Sequence, residues 1–134
     1  MVDLKTTAGN GDKDVSEIAK QEAIDSALID LAVEAWKFTR LFNRVISKLD
    51  PVEQARYVNQ VRFFQRRIDS AADSAGVRIV SIEGQPFEPG MAATPLNLED
   101  FGPEEALFVE QMLEPIVMGA DGVRRTGAMM LRRL

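Results

Sequence analysis

The chain has 134 residues, a formal net charge of −5, and neither cysteine nor histidine. This length accommodates one ordinary domain or two small units that share a core, and 46% hydrophobic with 28% charged residues is typical of globular proteins. The acidic balance disfavours nucleic-acid binding, which needs a basic surface, and the missing residue types exclude disulfides, thiol nucleophiles, Ser-His-Asp triads and the usual zinc sites.

The sequence shows no pattern typical of membrane insertion or secretion. No apolar run approaches the ~20 residues that cross a bilayer. The segment from Met1 to Lys5 has no apolar signal-peptide core. These observations favour a cytoplasmic location and argue against a membrane partner.

Residues 5–14 are polar and contain glycine, so they offer nothing to bury. This composition predicts a disordered tail over residues 1–14. Asp14, followed three residues later by Glu17, has the form of a capping box, in which two side chains satisfy free amides at a helix start. A helix is therefore expected to begin at Asp14.

From residue 24 onward, apolar residues recur at alternating steps of four and three, a seven-residue repeat typical of a coiled coil or helical bundle. The residues in this repeat are Ile24, Leu28, Leu31, Ala35, Phe38, Phe42, Val45 and Leu49. Further apolar residues beside the repeat widen the face beyond what one partner helix covers. These neighbours are Ala27, Ala32, Trp36, Leu41 and Ile46.

A tight turn follows the first helix. Asp50 is a suitable N-cap, Pro51 suits the first helical position, and Glu53 completes a capping box. Apolar residues of the second helix again alternate at four and three, and Gly76 is expected as the left-handed residue that ends it. Because a tight turn joins them, the two helices should form an antiparallel hairpin over residues 15–75.

The hairpin has more large apolar residues than two helices can bury. We therefore predict a homodimer in which two hairpins form a four-helix bundle. The predicted bundle core is Leu28, Leu31, Trp36, Phe38, Phe42, Val45, Val61, Phe64 and Ile68. The alternative is a monomer whose C-terminal part folds back over the additional apolar face.

Residues 76–134 are predicted to form a small β-rich head, giving an α+β fold. The segment from Val77 to Ile82 is rich in β-branched residues and predicts a strand, and residues 90–103 predict a surface loop because of their glycines and prolines. Residues 104–114 suit either a helix or a strand. Gly119 to Gly122 predicts a turn, so residues 107–131 suit a β-hairpin.

The order of these parts resembles the GrpE family, the nucleotide-exchange factors of DnaK-type chaperones. Members have a helical dimerisation bundle followed by a small β-domain. Their helix ends in Gly-Val, and an isoleucine-containing strand and Gly-x-Pro-Phe-Asp-Pro follow. This chain has Gly76-Val77, then Ile79 and Ile82, then Gly84-Gln85-Pro86-Phe87-Glu88-Pro89.

The end of the chain is similar to the family's closing pattern, a valine-rich strand, a Gly-Tyr turn, and a strand with Val-x-Arg-Pro-Ala-x-Val. Here Val109 to Met118 precedes the turn, and Val123-Arg124-Arg125-Thr126-Gly127-Ala128-Met129 follows it. The chain departs from the family in its N-terminal helical stalk, which is expected to be shorter than in most members, and in three places of these motifs. Met91-Ala92 stands where members have a histidine, Thr126-Gly127 replaces Pro-Ala, and Met118 replaces the turn's aromatic residue.

The resemblance implies a protein without catalytic groups that binds the ATPase domain of a DnaK-type chaperone, opens its cleft and promotes ADP release. By position, Arg125 matches the family's arginine, and Met118, Val123 and Arg124 flank it as candidate contacts. The alternative for Arg125 is a surface ion pair with Glu110 or Glu114 across the hairpin. Phe87 is expected to anchor the head's core.

Two other functions compete with this one. A dimeric helical adaptor or secretion-type chaperone without exchange activity suits the acidic charge and the wide apolar face equally well. An enzyme is disfavoured, because Glu88, Glu99 and Asp100 lie in a predicted loop without a catalytic constellation. No Walker or dinucleotide loop is present in the sequence, so direct nucleotide binding and a cofactor are not expected.

Overall fold

The computed structural model describes the backbone of residues 2–134 and the side chains of residues 14–134. Two helices, α1 (Val2–Ile46) and α2 (Pro51–Ser74), form an antiparallel hairpin. The head follows with strands β1 (Arg78–Val80), β2 (Ala93–Pro95), β3 (Leu107–Glu114), β4 (Ile116–Gly119), β5 (Gly122–Arg125) and β6 (Gly127–Arg133). A short 3₁₀ helix (Leu98–Asp100) lies between β2 and β3. The predicted α+β class, a helical hairpin followed by a small β-rich head, is confirmed.

The predicted helix start at Asp14 lies inside α1, so the Asp14 and Glu17 pattern does not mark a helix boundary. The backbone of residues 2–14 is helical as part of α1, where the sequence predicted a disordered tail over residues 1–14. From Asp14 to Ile24 every side chain of α1 is exposed. No part of the described chain covers this stretch.

Both ends of α2 follow from local sequence. The Asp50 carboxylate accepts hydrogen bonds from the amides of Val52 and Glu53, each at 3.1 Å, so the predicted N-cap is confirmed. At the other end Gly76 has a φ of 74°, and its amide donates to the carbonyl of Asp73. The Val77 amide donates to the carbonyl of Ala72 at 3.0 Å, which completes a Schellman motif.

The face of α1 that packs on α2 is not the predicted repeat but the stripe beside it. The buried residues of this stripe are Ile29, Ala32, Val33, Thr39 and Ile46, and those of α2 are Val61 and Ala72. Four residues of the predicted repeat are exposed: Ile24 by 60%, Leu31 by 71%, Phe38 by 59% and Val45 by 48%. The helix therefore has two apolar stripes, and α2 covers only one of them.

The head consists of two three-stranded sheets, with strand orders β1-β4-β5 and β2-β6-β3. Residues 107–114 are a strand, which settles the choice left open by the sequence. The predicted hairpin over residues 107–131 exists, but each arm is interrupted between the sheets, at Pro115 and at Thr126. Pro115 has no amide to donate, so strand pairing stops there. Strand β2 lies within the predicted loop and pairs parallel with β6.

The head packs directly on the end of the hairpin. One buried cluster combines Ile29 and Val33 of α1 with Ala72, Val77 and Val117. Val77 enters this cluster because the Schellman motif at the end of α2 brings it back onto Ala72. The head and hairpin thus share apolar core, which fixes the head's position relative to the helices.

Candidate functional site at the tip of the head

The candidate contact residues lie together at one end of the sheet β1-β4-β5. We call residues 118–125, which are the end of β4, the turn and β5, the tip. Met118 pairs with Val123 and Gly119 with Gly122. The structure thus brings Met118, Val123, Arg124 and Arg125 onto one short hairpin, as the sequence predicted.

A hollow of about 260 Å³ separates the tip from the end of α2. Its lining is Ala75, Gly76, Ala120, Asp121, Gly122, Val123 and Arg124. Val123 is 48% exposed, and Arg124 is also exposed. Met118 is half-buried and packs against the core of the head. The exposed residues of the tip are therefore Ala120, Asp121, Val123 and Arg124, so an apolar residue lies beside an arginine and an acidic residue lies in the turn.

Arg125 is directed away from this hollow and onto α1. Its guanidinium lies 2.6 Å from the Asp30 carboxylate and donates to the carbonyl and the hydroxyl oxygen of Ser26, each at 3.3 Å. Neither pairing considered for Arg125 is formed, since Glu110 pairs with Arg132 and Glu114 with Lys37. Arg125 therefore ties the tip to the hairpin.

Arg124 has a different environment. Its aliphatic stem lies across Gly119, where an added Cβ would be 2.7 Å from the Arg124 Cγ and 3.0 Å from its Cδ. Within the described part of the chain, no carboxylate lies within 4 Å of its guanidinium. The backbone of Gly119 thus positions the aliphatic part of the Arg124 side chain, and its guanidinium is available to pair with an acidic group.

A second set of contacts ties the head to α1 further along the helix. The Arg40 guanidinium lies 4.5 Å from the centre of the Trp36 ring and forms an ion pair with Glu83. The Glu83 carboxylate also accepts a hydrogen bond from the Met112 amide at 2.8 Å. Trp36, predicted in the bundle core, instead packs against the core of the head.

Lys37 adds an ion pair to this second set of contacts between the head and α1. Its ammonium donates to Glu114, and this hydrogen bond raises the pKa of Lys37 above its ordinary value. Sequence reasoning missed these contacts. The only available signal was the spacing of Trp36, Lys37 and Arg40, which places them on one side of α1. Their partners lie in the head, more than forty residues away in sequence, and no local pattern identifies them.

The exposed stripe is a second candidate surface. We use this name for Ile24, Leu31, Phe38 and Val45 of α1 with Phe64 of α2. Phe38 stacks on Phe42 at 5.8 Å between ring centres, and an apolar groove of about 150 Å³ lies beside them. The groove is lined by Phe38, Thr39, Phe42, Gln60, Val61 and Phe64.

Of the other predicted core residues, Val61 is buried, and Leu28, Phe42 and Ile68 are half-buried.

The carboxylates considered for catalysis, Glu88, Glu99 and Asp100, are all exposed. Among the described residues, no three His, Cys, Asp or Glu side chains are grouped so as to hold a metal ion. No helix in the described part of the chain is long and apolar enough to span a membrane.

No family model matches the chain, and neither a curated protein nor a solved structure does. The likeness to the GrpE family therefore depends on the quoted motifs and on the order of the structural elements.

Proposed function

We propose that the protein is a GrpE-like co-chaperone that binds the ATPase domain of a DnaK-type chaperone and promotes ADP release in the cytoplasm. The observation that carries this proposal is the tip, where Val123 and Arg124 are exposed at the end of a head fixed to a long hairpin. Arginine is among the residue types that contribute most to binding at protein interfaces, and Val123 adds exposed apolar surface beside Arg124.

The proposed mechanism needs no catalytic residue and no cofactor. The tip binds the open form of the ATPase domain more tightly than the closed form, and the open cleft releases ADP. A ligand shifts a two-state protein only by the difference between its affinities for the two states. A shift from 1% to 99% open requires about 5.5 kcal/mol of that difference.

The proposal includes a homodimer formed through the exposed stripe. The apolar residues of α1 in this stripe recur every seven residues, which is the spacing that allows two helices to pack along their length. A second copy presents the same stripe, so a twofold interface buries both and completes a four-helix bundle. Each dimer then carries two tips.

The test is release of a fluorescent ADP analogue from a DnaK-type ATPase domain, measured by stopped flow with increasing concentrations of the protein. A saturable, concentration-dependent acceleration supports the proposal. Binding without acceleration contradicts exchange activity and supports the alternative, a dimeric adaptor or secretion-type chaperone. Heat-denatured protein at equal concentration is the control for nonspecific effects.

A further inference from the structure

We infer that the two neighbouring arginines of the tip have divided roles. Arg124 is the residue that meets the partner, and it recognises a carboxylate that lies beside an apolar group. Arg125 is a positioning residue that holds the tip against α1. This inference rests on the proposed function, and it assigns the partner contact to a different arginine from the one that the motif likeness indicates.

The two arginines differ in the pairing of their charges. Arg125 already has an acidic partner, Asp30, and two oxygens of Ser26 within hydrogen-bond distance. A partner carboxylate would have to compete with these groups. Arg124 has no carboxylate within 4 Å in the described part of the chain, so it is available to pair with an acidic group.

The aliphatic stem of Arg124 packs across the backbone of Gly119. Packing across Gly119 restricts the side chain before any partner binds, which reduces the conformational entropy lost on binding. Arg124 also lines the hollow between the tip and α2, and Val123 lies beside it there. An acidic residue flanked by an apolar side chain fits the part of this lining formed by Val123 and Arg124, whereas Asp121 lines another part of the hollow.

The experiment compares Arg124→Ala with Arg125→Ala in binding to an ADP-loaded DnaK-type ATPase domain, by fluorescence titration at several salt concentrations. The two variants lose the same charge from adjacent residues, so they control for net charge. We expect Arg124→Ala to raise Kd at least about tenfold and to weaken its salt dependence. Arg125→Ala should raise Kd less than about threefold and retain the salt dependence.

A double-mutant cycle tests the positioning of the stem. Gly119→Ala would place a methyl group against the Arg124 Cγ and should weaken binding severalfold. In the Arg124→Ala background that clash is gone, so the same substitution should have no further effect. Circular dichroism and thermal melting of every variant check that the fold is retained.

Three results would overturn the inference. They are an effect of Arg125→Ala as large as that of Arg124→Ala, unchanged salt dependence in Arg124→Ala, or an equal effect of Gly119→Ala in both backgrounds. If the wild-type protein does not bind the ATPase domain at all, the proposed function fails and this inference fails with it. If the wild type binds and any of the three results is found, only the division of roles between the two arginines is overturned, and the proposed function stands.

Discussion

Gly127 lies where the chain passes from one sheet of the head to the other, and the site has no room for a side chain. It is buried, and an added Cβ would lie 2.7 Å from the carbonyl oxygen of Glu114. The closest clash of a side chain at this position would therefore be with backbone and not with the end of a flexible side chain. The backbone of Glu114 cannot move without disturbing the pairing of β3 with β6.

We expect Gly127→Ala to destabilise the protein by about 1–3 kcal/mol, because overpacking against backbone forces a shift in both sheets. Urea denaturation measures this change. Gly102→Ala is the matched control, since a Cβ there meets nothing closer than 3.9 Å, and its effect should stay within about 0.5 kcal/mol. Equal stability of wild type and Gly127→Ala would contradict the steric argument.

Glu105 gives a prediction about pH. Its carboxylate accepts a hydrogen bond from Arg133 at 2.7 Å and another from the Gly102 amide, and these hold its pKa below the ordinary value. Because the folded-state pKa is lowered, the stabilising contribution is present above the unfolded-state pKa and is lost as pH falls through the folded-state pKa.

We therefore expect Glu105→Gln to reduce the loss of stability on acidification relative to wild type, with the curves converging in strong acid. Thermal unfolding followed across the acidic range measures this. Glu104→Gln, a change at the exposed neighbouring residue, should leave the acid dependence unaltered. Parallel curves for wild type and Glu105→Gln would show that the contact with Arg133 makes no pH-dependent contribution.

At the scale of elements, the two apolar stripes of α1 define the hairpin. The buried stripe faces α2, and the exposed stripe has no cover within the described chain. If a second copy covers it, a charge in its middle should separate the subunits without unfolding them. Phe38 is the central residue of the stripe and is 59% exposed in the single chain.

We expect Phe38→Glu to convert a dimer to a monomer, because a buried carboxylate without a partner is strongly unfavourable at such an interface. Light scattering coupled to size exclusion measures the mass. Phe63→Glu is the control, since Phe63 is 63% exposed but lies outside the stripe and the groove, and this variant should stay dimeric. A monomeric wild type would contradict the dimer itself.

Local signals explain which elements could be predicted. The Asp50 cap, Pro51 and Gly76 act within a few residues, so the bounds of α2 follow from the sequence. The sequence did not decide between a helix and a strand for residues 107–114, because the amides and carbonyls of this strand pair with β6, about twenty residues further along. The repeat from Ile24 marked an apolar stripe correctly, but periodicity alone does not say which stripe α2 covers.

The candidate site was predictable to the same extent. The turn at residues 119–122 and the exposure of its flanking residues are local, so the tip could be located in the sequence. The partner of Arg125 could not, because Asp30 and Ser26 lie almost a hundred residues earlier. The ties from Trp36, Lys37 and Arg40 to the head depend on tertiary packing in the same way.

At the scale of the whole molecule, the joint between head and hairpin links the two candidate surfaces. The buried cluster of Ile29, Val33, Ala72, Val77 and Val117 fixes the head on the helices, and Arg125 holds the tip itself. The tip therefore has a defined position relative to the exposed stripe. In the proposed dimer, two tips are presented at a fixed separation to partner ATPase domains.

The most direct test of this account is the rate at which a DnaK-type ATPase domain releases a fluorescent ADP analogue at saturating protein. We predict a large acceleration by the wild type. Arg124→Ala should require at least about tenfold more protein to reach half its maximal effect, since a tenfold loss corresponds to about 1.4 kcal/mol of binding free energy. An unchanged release rate at every concentration of folded wild-type protein would contradict the central claim.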